Sequence, residues 1–266
     1  MPTSLEGSRN IRSPMGNAGS PHAAQQGPTC TAEPRAVAPA GSDPPVAIIV
    51  PVYNGAAFLA AALRSVLAQQ SCRITAIIVV DDGSTDSSAA IAVAYPAPVR
   101  VIRQAHAGAA AARNRGLAAA TEDFVGFLDA DDLLPPRSIA ARVAVLRADP
   151  SLDAATGLIT QFISQDLDAA AAARFPVSDR PLRGPTPGTI LFRRRAFERI
   201  GGFDTSLGHG DFIDWYLRAK AAGLASCMLD TVVLERRIHG GNLTLRDKAG
   251  RKDYLTVVRR HLARRR

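Results

Sequence analysis

Three clusters in this 266-residue chain carry the groups that nucleotide chemistry uses. The densest, Asp129-Ala130-Asp131-Asp132, ends an apolar run and packs three carboxylates into four residues. Their mutual repulsion is costly without a compensating cation. Mg²⁺ or Mn²⁺ supplies one, because such an ion takes one or two protein carboxylates and fills its shell with water and diphosphate oxygens. In an alternating Asp-x-Asp, one carboxylate reaches the ion while the other faces a ribose or a bound water. The plainer reading is a solvated acidic turn before the helix that follows Pro136. The other clusters are Pro51-Val52-Tyr53-Asn54-Gly55 and Asp81-Asp82-Gly83-Ser84-Thr85-Asp86. By itself Asp82-Gly83 reads equally well as a tight turn, with Ser84 or Thr85 capping the next helix.

Each cluster follows a predicted strand. Val46 to Val50 is an apolar run stopped by Pro51, and Phe58, Leu59, Ala62, Leu63, Val66 and Leu67 then recur at helical spacing. Ile74–Val80, Val99–Arg103 and Phe124–Leu128 read as further strands, with helices over Asp86–Tyr95 and Ala109–Ala120 between them. Continuously apolar strands separated by helices imply a parallel sheet buried on both faces, with functional loops at the carboxyl ends of its strands. Beyond Pro136 a helix runs to about Arg147, and the pattern from Leu152 to Gly184 is less regular. A loop over Arg183–Gly188 precedes a short apolar segment at 189–192, a helix at 195–200 and a helix from about Asp211 to Ala222. Two short apolar segments, Cys227–Leu229 and Thr231–Leu234, lead into a basic end.

Together Val46–Gly55, Val79–Asp86, Ala111-Ala112-Arg113-Asn114-Arg115-Gly116 and Phe127–Asp132 resemble the motifs of glycosyltransferase family 2, inverting nucleotide-sugar-dependent enzymes of GT-A fold. The match covers about residues 45–245. It implies an α/β fold with an open, mostly parallel sheet flanked by helices, and an Mg²⁺ or Mn²⁺ cofactor. It also implies sugar transfer from a nucleotide-diphosphate sugar, UDP-linked by preference, to an acceptor hydroxyl in polysaccharide or glycoconjugate biosynthesis. Carried over position by position, Pro51, Val52, Tyr53 and Asn54 would line the base and ribose pocket, and Asp82 would accept from the nucleobase edge. Arg113, Asn114 and Ala130 would border the nucleotide, and Asp129 and Asp131 would form the Asp-x-Asp pair at ribose and metal.

Gly188–Arg194 and Ile200–Asp204 resemble the family's acceptor side. Inverting members place a Glu-Asp pair at the start of the next helix, with its Asp as general base. Here Phe212 stands at that position, so Asp211 and Asp214 are both candidates. They lie one helical turn apart and share a face with Arg218. Asp211, at the loop end, is favoured as the base, while Arg218 should hold Asp214 back; the plainer readings are a helix-dipole contact and an ordinary i,i+4 pair. His239 resembles a histidine that some members bring to the diphosphate or metal, and otherwise reads as surface. Arg193, Arg194 and Arg195 are expected to straddle solvent and the acceptor groove.

The chain divides into a leader at 1–44, a domain at 45–245 (nucleotide-binding half 45–135, acceptor-binding half 136–245) and a basic helix or tail at 246–266. The leader is Pro-, Gly-, Ala- and Ser-rich without an aromatic residue, and is expected to be disordered. The net charge of +8 lies at the C-terminal end: residues 236–266 sum to +9 and the leader to zero, which leaves −1 for the body. That argues against nucleic acid as a partner. A basic tail usually just solvates the chain; the sharper reading is attraction to an anionic membrane face or acidic partner. No run approaches the roughly 18 to 20 apolar residues of a membrane span, and no secretory signal is visible. The scattered Cys30, Cys72 and Cys227 suggest no disulfide framework. A cytoplasmic protein, peripheral at most to the inner membrane face, is therefore expected, acting on a glycan, lipid or protein acceptor.

Two rivals remain. A nucleotide-sugar-binding protein that has lost catalysis would explain Phe212. A different nucleotide enzyme, such as a nucleotidyltransferase or dehydrogenase, would normally carry a Gly-x-x-x-x-Gly-Lys-Ser/Thr loop or a Gly-x-Gly-x-x-Gly turn, and neither occurs.

Overall fold

The computed structural model of the chain describes residues 43–173, 175, 177–241 and 250–263. The disorder expected of the leader at 1–44 lies outside the described residues except at Asp43 and Pro44. Asp43, assigned above to the leader, is buried and ion-paired with Arg147, so it belongs to the ordered body.

Seven strands form one sheet in the order β3-β2-β1-β4-β6-β5-β7. They are β1 (Pro45–Val52), β2 (Arg73–Asp81), β3 (Val99–Arg103), β4 (Phe124–Phe127), β5 (Ala154–Ile163), β6 (Leu191–Arg193) and β7 (Ser226–Ile238). β1 to β4 are mutually parallel, as are β5 and β7, while the short β6 runs antiparallel to both its neighbours. The helices are α1 (Ala56–Leu67), α2 (Ser88–Val93), α3 (Ala109–Ala119), α4 (Ser138–Ala148), α5 (Ala169–Ala172), α6 (Arg195–Ile200), α7 (Asp211–Ala221) and α8 (Gly250–Ala263). No helix among the described residues is long and apolar enough to cross a membrane.

The uninterrupted apolarity of β1 follows from burial on both sides. Val46, Ile48 and Val50 join Leu59, Leu63 and Leu146 in one core, and Ala47 and Ile49 join a second. α3 lies close on this second face, where a Cβ on Gly116 would come within 2.3 Å of Ile49 Cγ2. Alanine and glycine allow that approach. Beyond α3 the same core is aromatic: Phe127, Phe192, Phe197, Phe203 and Trp215 pack at centroid separations of 4.6 to 6.4 Å.

The acceptor-side half departs most from expectation. The less regular stretch after Leu152 contains β5, ten residues long. The two short segments at 227–229 and 231–234 are one thirteen-residue strand, β7. Its apolar pattern breaks because Asp230 and Thr231 are exposed and the register against β5 shifts twice near Leu158.

Candidate active site

Val52 lies opposite Asp81, and Ile49 opposite Phe127, so the loops after β1, β2 and β4 open at the same edge of the sheet. That edge is where open α/β sheets bind ligands. The first two loops are stapled together. Asn54, in a left-handed conformation (φ 50°), accepts from Thr85 N through Oδ1 (2.8 Å), and its own N donates to Ser84 Oγ (3.0 Å). Asp86, rather than Ser84 or Thr85, meets the helix starts: it accepts from Ala56 N (3.0 Å) at α1 and from Ser88 N (2.9 Å) at α2.

Asp82 is buried, and both its oxygens are engaged by the 104–108 loop. Oδ1 accepts from Gln104 Nε2 (2.7 Å) and Ala107 N (2.9 Å); Oδ2 accepts from Gly108 N (2.8 Å) and lies 2.9 Å from His106 Nδ1. These contacts make Asp82 the organiser of that loop. The His106 ring in turn stacks on Tyr53 (centroids 4.0 Å apart), giving the cleft a flat wall to which the sequence reading assigned only the tyrosine.

Arg113, from α3 and almost wholly buried, forms a bridge. Its Nη2 donates to Asp129 Oδ1 (2.9 Å) and its Nη1 to Asp211 Oδ2 (2.6 Å). One guanidinium thus joins the carboxylate after β4 to the first residue of α7, 82 positions further along the chain in sequence number. Asp214 is buried, and its Oδ2 accepts from Arg218 Nε (2.7 Å). Phe212, at the customary base position, is buried in the aromatic core and stacks with Tyr216. The loop before α7 is fixed by Asn114, which accepts from Phe203 N and donates to Phe203 O, both at 2.8 Å. Its amide is committed to that backbone. Gly202 allows the approach, since a Cβ there would lie 2.5 Å from Asn114 Oδ1.

The end of β7 clasps the acidic loop. Leu133 and Glu235 exchange two backbone hydrogen bonds, Arg237 N donates to Asp132 Oδ1 (2.9 Å), and Arg237 Nε donates to Asp131 O (3.0 Å). The Arg237 guanidinium lies over the rings of Phe58 and Phe162, at 5.0 and 4.7 Å. Two residues on, His239 brings Nε2 to 3.0 Å from Asp131 Oδ2, with its ring against Phe58.

Burial, and after it repulsion from Asp131 and Asp129, holds the Asp132 carboxyl well above the usual carboxylate range. The folded protein therefore binds this proton more tightly than the unfolded chain does. The stability involved is present below the ordinary carboxylate value of about 4 and is lost as pH rises through the raised one. Asp132→Asn keeps an oxygen for Arg237 N and removes the charge. In the presence of a chelator it should raise the melting temperature at neutral pH and give no gain near pH 4, as read from melting temperature against pH. A gain independent of pH would contradict this account.

The donors present fit a hard divalent ion. Asp129 and Asp131 side chains are partly exposed to the cleft, and Asp131 and His239 already converge. No group of three or more His, Cys, Asp or Glu among the described residues could hold an ion by itself.

Arg193, Arg194 and Arg195 are not at this cleft. They stand at the opposite end of the sheet, around a cavity of about 420 Å³ that also meets Pro44, Phe124 and Arg147. β6 runs antiparallel to β4, which carries Arg193 to the start of β4, opposite Phe124, instead of to its end. There Arg193 donates to Leu152 O, Arg194 pairs with Glu198, and Arg195 with Asp153. Among the described cysteines, Cys72 is free.

A family model for glycosyl transferase family 2 matches residues 47–201. An uncharacterized glycosyltransferase of Rickettsia typhi is 30% identical over 217 residues, covering 76% of this chain and 66% of the relative. Among solved structures, Staphylococcus aureus TarS residues 1–349 in complex with UDP-GlcNAc aligns at TM-score 0.64 with 20% identity, over 81% of this chain and 65% of that one. The mannosyltransferase PcManGT of Pyrobaculum calidifontis, in complex with GDP-Man and Mn²⁺, aligns at TM-score 0.62 with 24% identity, over 87% and 67%. These two structures share the GT-A fold with this chain, which spans about two thirds of the length of the relatives described.

Proposed function

This chain belongs to glycosyl transferase family 2, and from that premise we propose that it moves a sugar, with inversion, from a nucleotide-diphosphate sugar to an acceptor hydroxyl, using a divalent metal. The observation that supports the reading is the Asp129–Arg113–Asp211 bridge, which joins the Asp211 carboxylate to Asp129 after β4.

Asp131 and Asp129, with His239, would hold the metal, which when bound supplies charge neutralisation for the leaving diphosphate. Tyr53, with His106 stacked on it, would form the wall against which the base lies. The acceptor oxygen bonds to the anomeric carbon as the carbon–oxygen bond to the diphosphate breaks, and its proton passes to the Asp211 carboxylate. Arg113 orients that carboxylate. General-base catalysis of this kind contributes about 100- to 10,000-fold, and holding both substrates in line supplies the rest. The family resemblance favours a UDP-linked donor, and fold neighbours carrying UDP-GlcNAc and GDP-Man define the first nucleotides to test. The acceptor is a glycan, lipid or protein hydroxyl, and the basic end of the chain is where an anionic membrane face would be met.

Calorimetric titration of UDP, GDP and dTDP, with and without Mn²⁺, should find one nucleotide whose affinity rises at least about tenfold with metal. Asp131→Asn should abolish that gain, because the ion loses a charged ligand. The sugars of that nucleotide are then screened for donor hydrolysis and transfer. Metal-dependent binding with neither reaction would favour the binding-protein reading that Phe212 raises. No nucleotide binding in any condition would end both readings.

A further inference from the structure

We infer that α8 docks on an anionic lipid bilayer through a stripe of aliphatic side chains. Leu255, Val258 and Leu262 recur at three and four residues, on one face of the helix, and are 57, 50 and 57% exposed. The opposite face is fixed to the protein. Val257 is buried, Asp253 Oδ2 accepts from His209 N (2.8 Å), and Arg260 Nη1 pairs with Asp204 Oδ2 (2.7 Å). The helix is therefore held in place with its apolar side outward.

The surroundings favour lipid over other occupants. Arg259, adjacent to the stripe on the helical wheel, is exposed, and the sequence around it adds Arg251, Lys252, Arg264, Arg265 and Arg266. An exposed apolar face on a segment this basic in sequence describes helices that lie in the plane of a membrane interface and favour anionic lipid. Three aliphatic side chains one residue wide fall far short of the roughly 800 Å² per partner that a stable protein interface buries. A bilayer needs no such area on one helix, because each basic side chain near an anionic surface adds its own attraction.

The contacts through Asp253 and Arg260 fall on the 204–209 loop that leads into Asp211, so α8 would bring the acceptor side of the cleft to the lipid surface. Vesicle binding by α8 extends the membrane contact named above and does not depend on sugar transfer, so the failure of either reading is seen separately.

The test is flotation of the full chain with vesicles of phosphatidylcholine alone or mixed with phosphatidylglycerol, at low and high salt. Wild type should float with the mixed vesicles at low salt, stay behind with neutral ones, and release as salt screens the charges. The triple variant Leu255→Gln, Val258→Gln, Leu262→Gln should lower the partition coefficient at least about tenfold, with melting temperature and nucleotide binding unchanged. Arg259→Glu is a second variant, carrying no apolar change, and should weaken binding to mixed vesicles only. Equal binding by wild type and the triple variant would overturn the inference, as would equal binding of wild type to neutral and anionic vesicles. So would absence of binding together with a self-associated wild type that the triple variant converts to monomer, which would assign the stripe to a second copy.

Discussion

Asp211→Asn should lower kcat for transfer by about 100- to 10,000-fold while the donor still binds, because asparagine keeps an oxygen for Arg113 but cannot take the acceptor proton. Steady-state transfer assays paired with nucleotide titration read the two effects separately. Asp214→Asn is the matched control. Its carboxylate accepts from Arg218 Nε of its own helix at 2.7 Å, whereas that of Asp211 is joined through Arg113 to Asp129 after β4, so loss of the Asp214 charge should alter melting temperature more than turnover. The opposite ranking, with Asp214→Asn inactive and Asp211→Asn unimpaired, would transfer the base role to Asp214. Neither ranking involves Phe212, whose phenyl ring has no group that can take a proton.

The largest expected loss of stability comes from Arg113→Met. The substitution strands Asp211, which is 8% exposed, without its cation, and removing one member of a buried pair typically costs about 3–5 kcal/mol. Asp129 is more open to water and should contribute less, so the lower end of that range is expected. Chemical denaturation of Arg113→Met and of the double variant Arg113→Met, Asp211→Leu checks the cause: the double variant should regain most of the loss. If it does not, the damage lies in packing against Phe203, whose ring Arg113 also covers at 5.9 Å. Arg113 is not there for stability alone. Its Nε is buried without a hydrogen-bond partner among the described residues, a cost that an apolar side chain would avoid.

The sequence makes the nucleotide half readable because its signals are local. β1 and β4 are apolar throughout, since each is covered on both faces, and the loops that follow them carry their chemistry in a few consecutive residues. Asp129 and Asp131 can be singled out on those grounds, and Asp211 only through the resemblance of the segment around 211–218 to the family's base-bearing helix. β7 could not be read as one strand, because Asp230 and Thr231 face outward in its middle. Arg237 and His106 were passed over for a different reason: their partners lie 106 and 24 positions away, and no spacing rule connects them. Arg237 had one available signal, its place two residues before His239, which on a strand puts both on the same face. Asp82 and Asn114 were identified as site residues, but their hydrogen bonds to backbone groups of other loops are visible only in three dimensions.

The clasp between Leu133 and Glu235 bears on how the protein matures as it leaves the ribosome. Strands β1 to β4 can assemble once their own residues have emerged, but the turn beyond β4 gains its lateral support only after another hundred residues have been synthesised. Such high-contact-order pairing forms late. A nascent chain halted before β7 would therefore hold a finished parallel sheet whose acidic turn still lacks its brace.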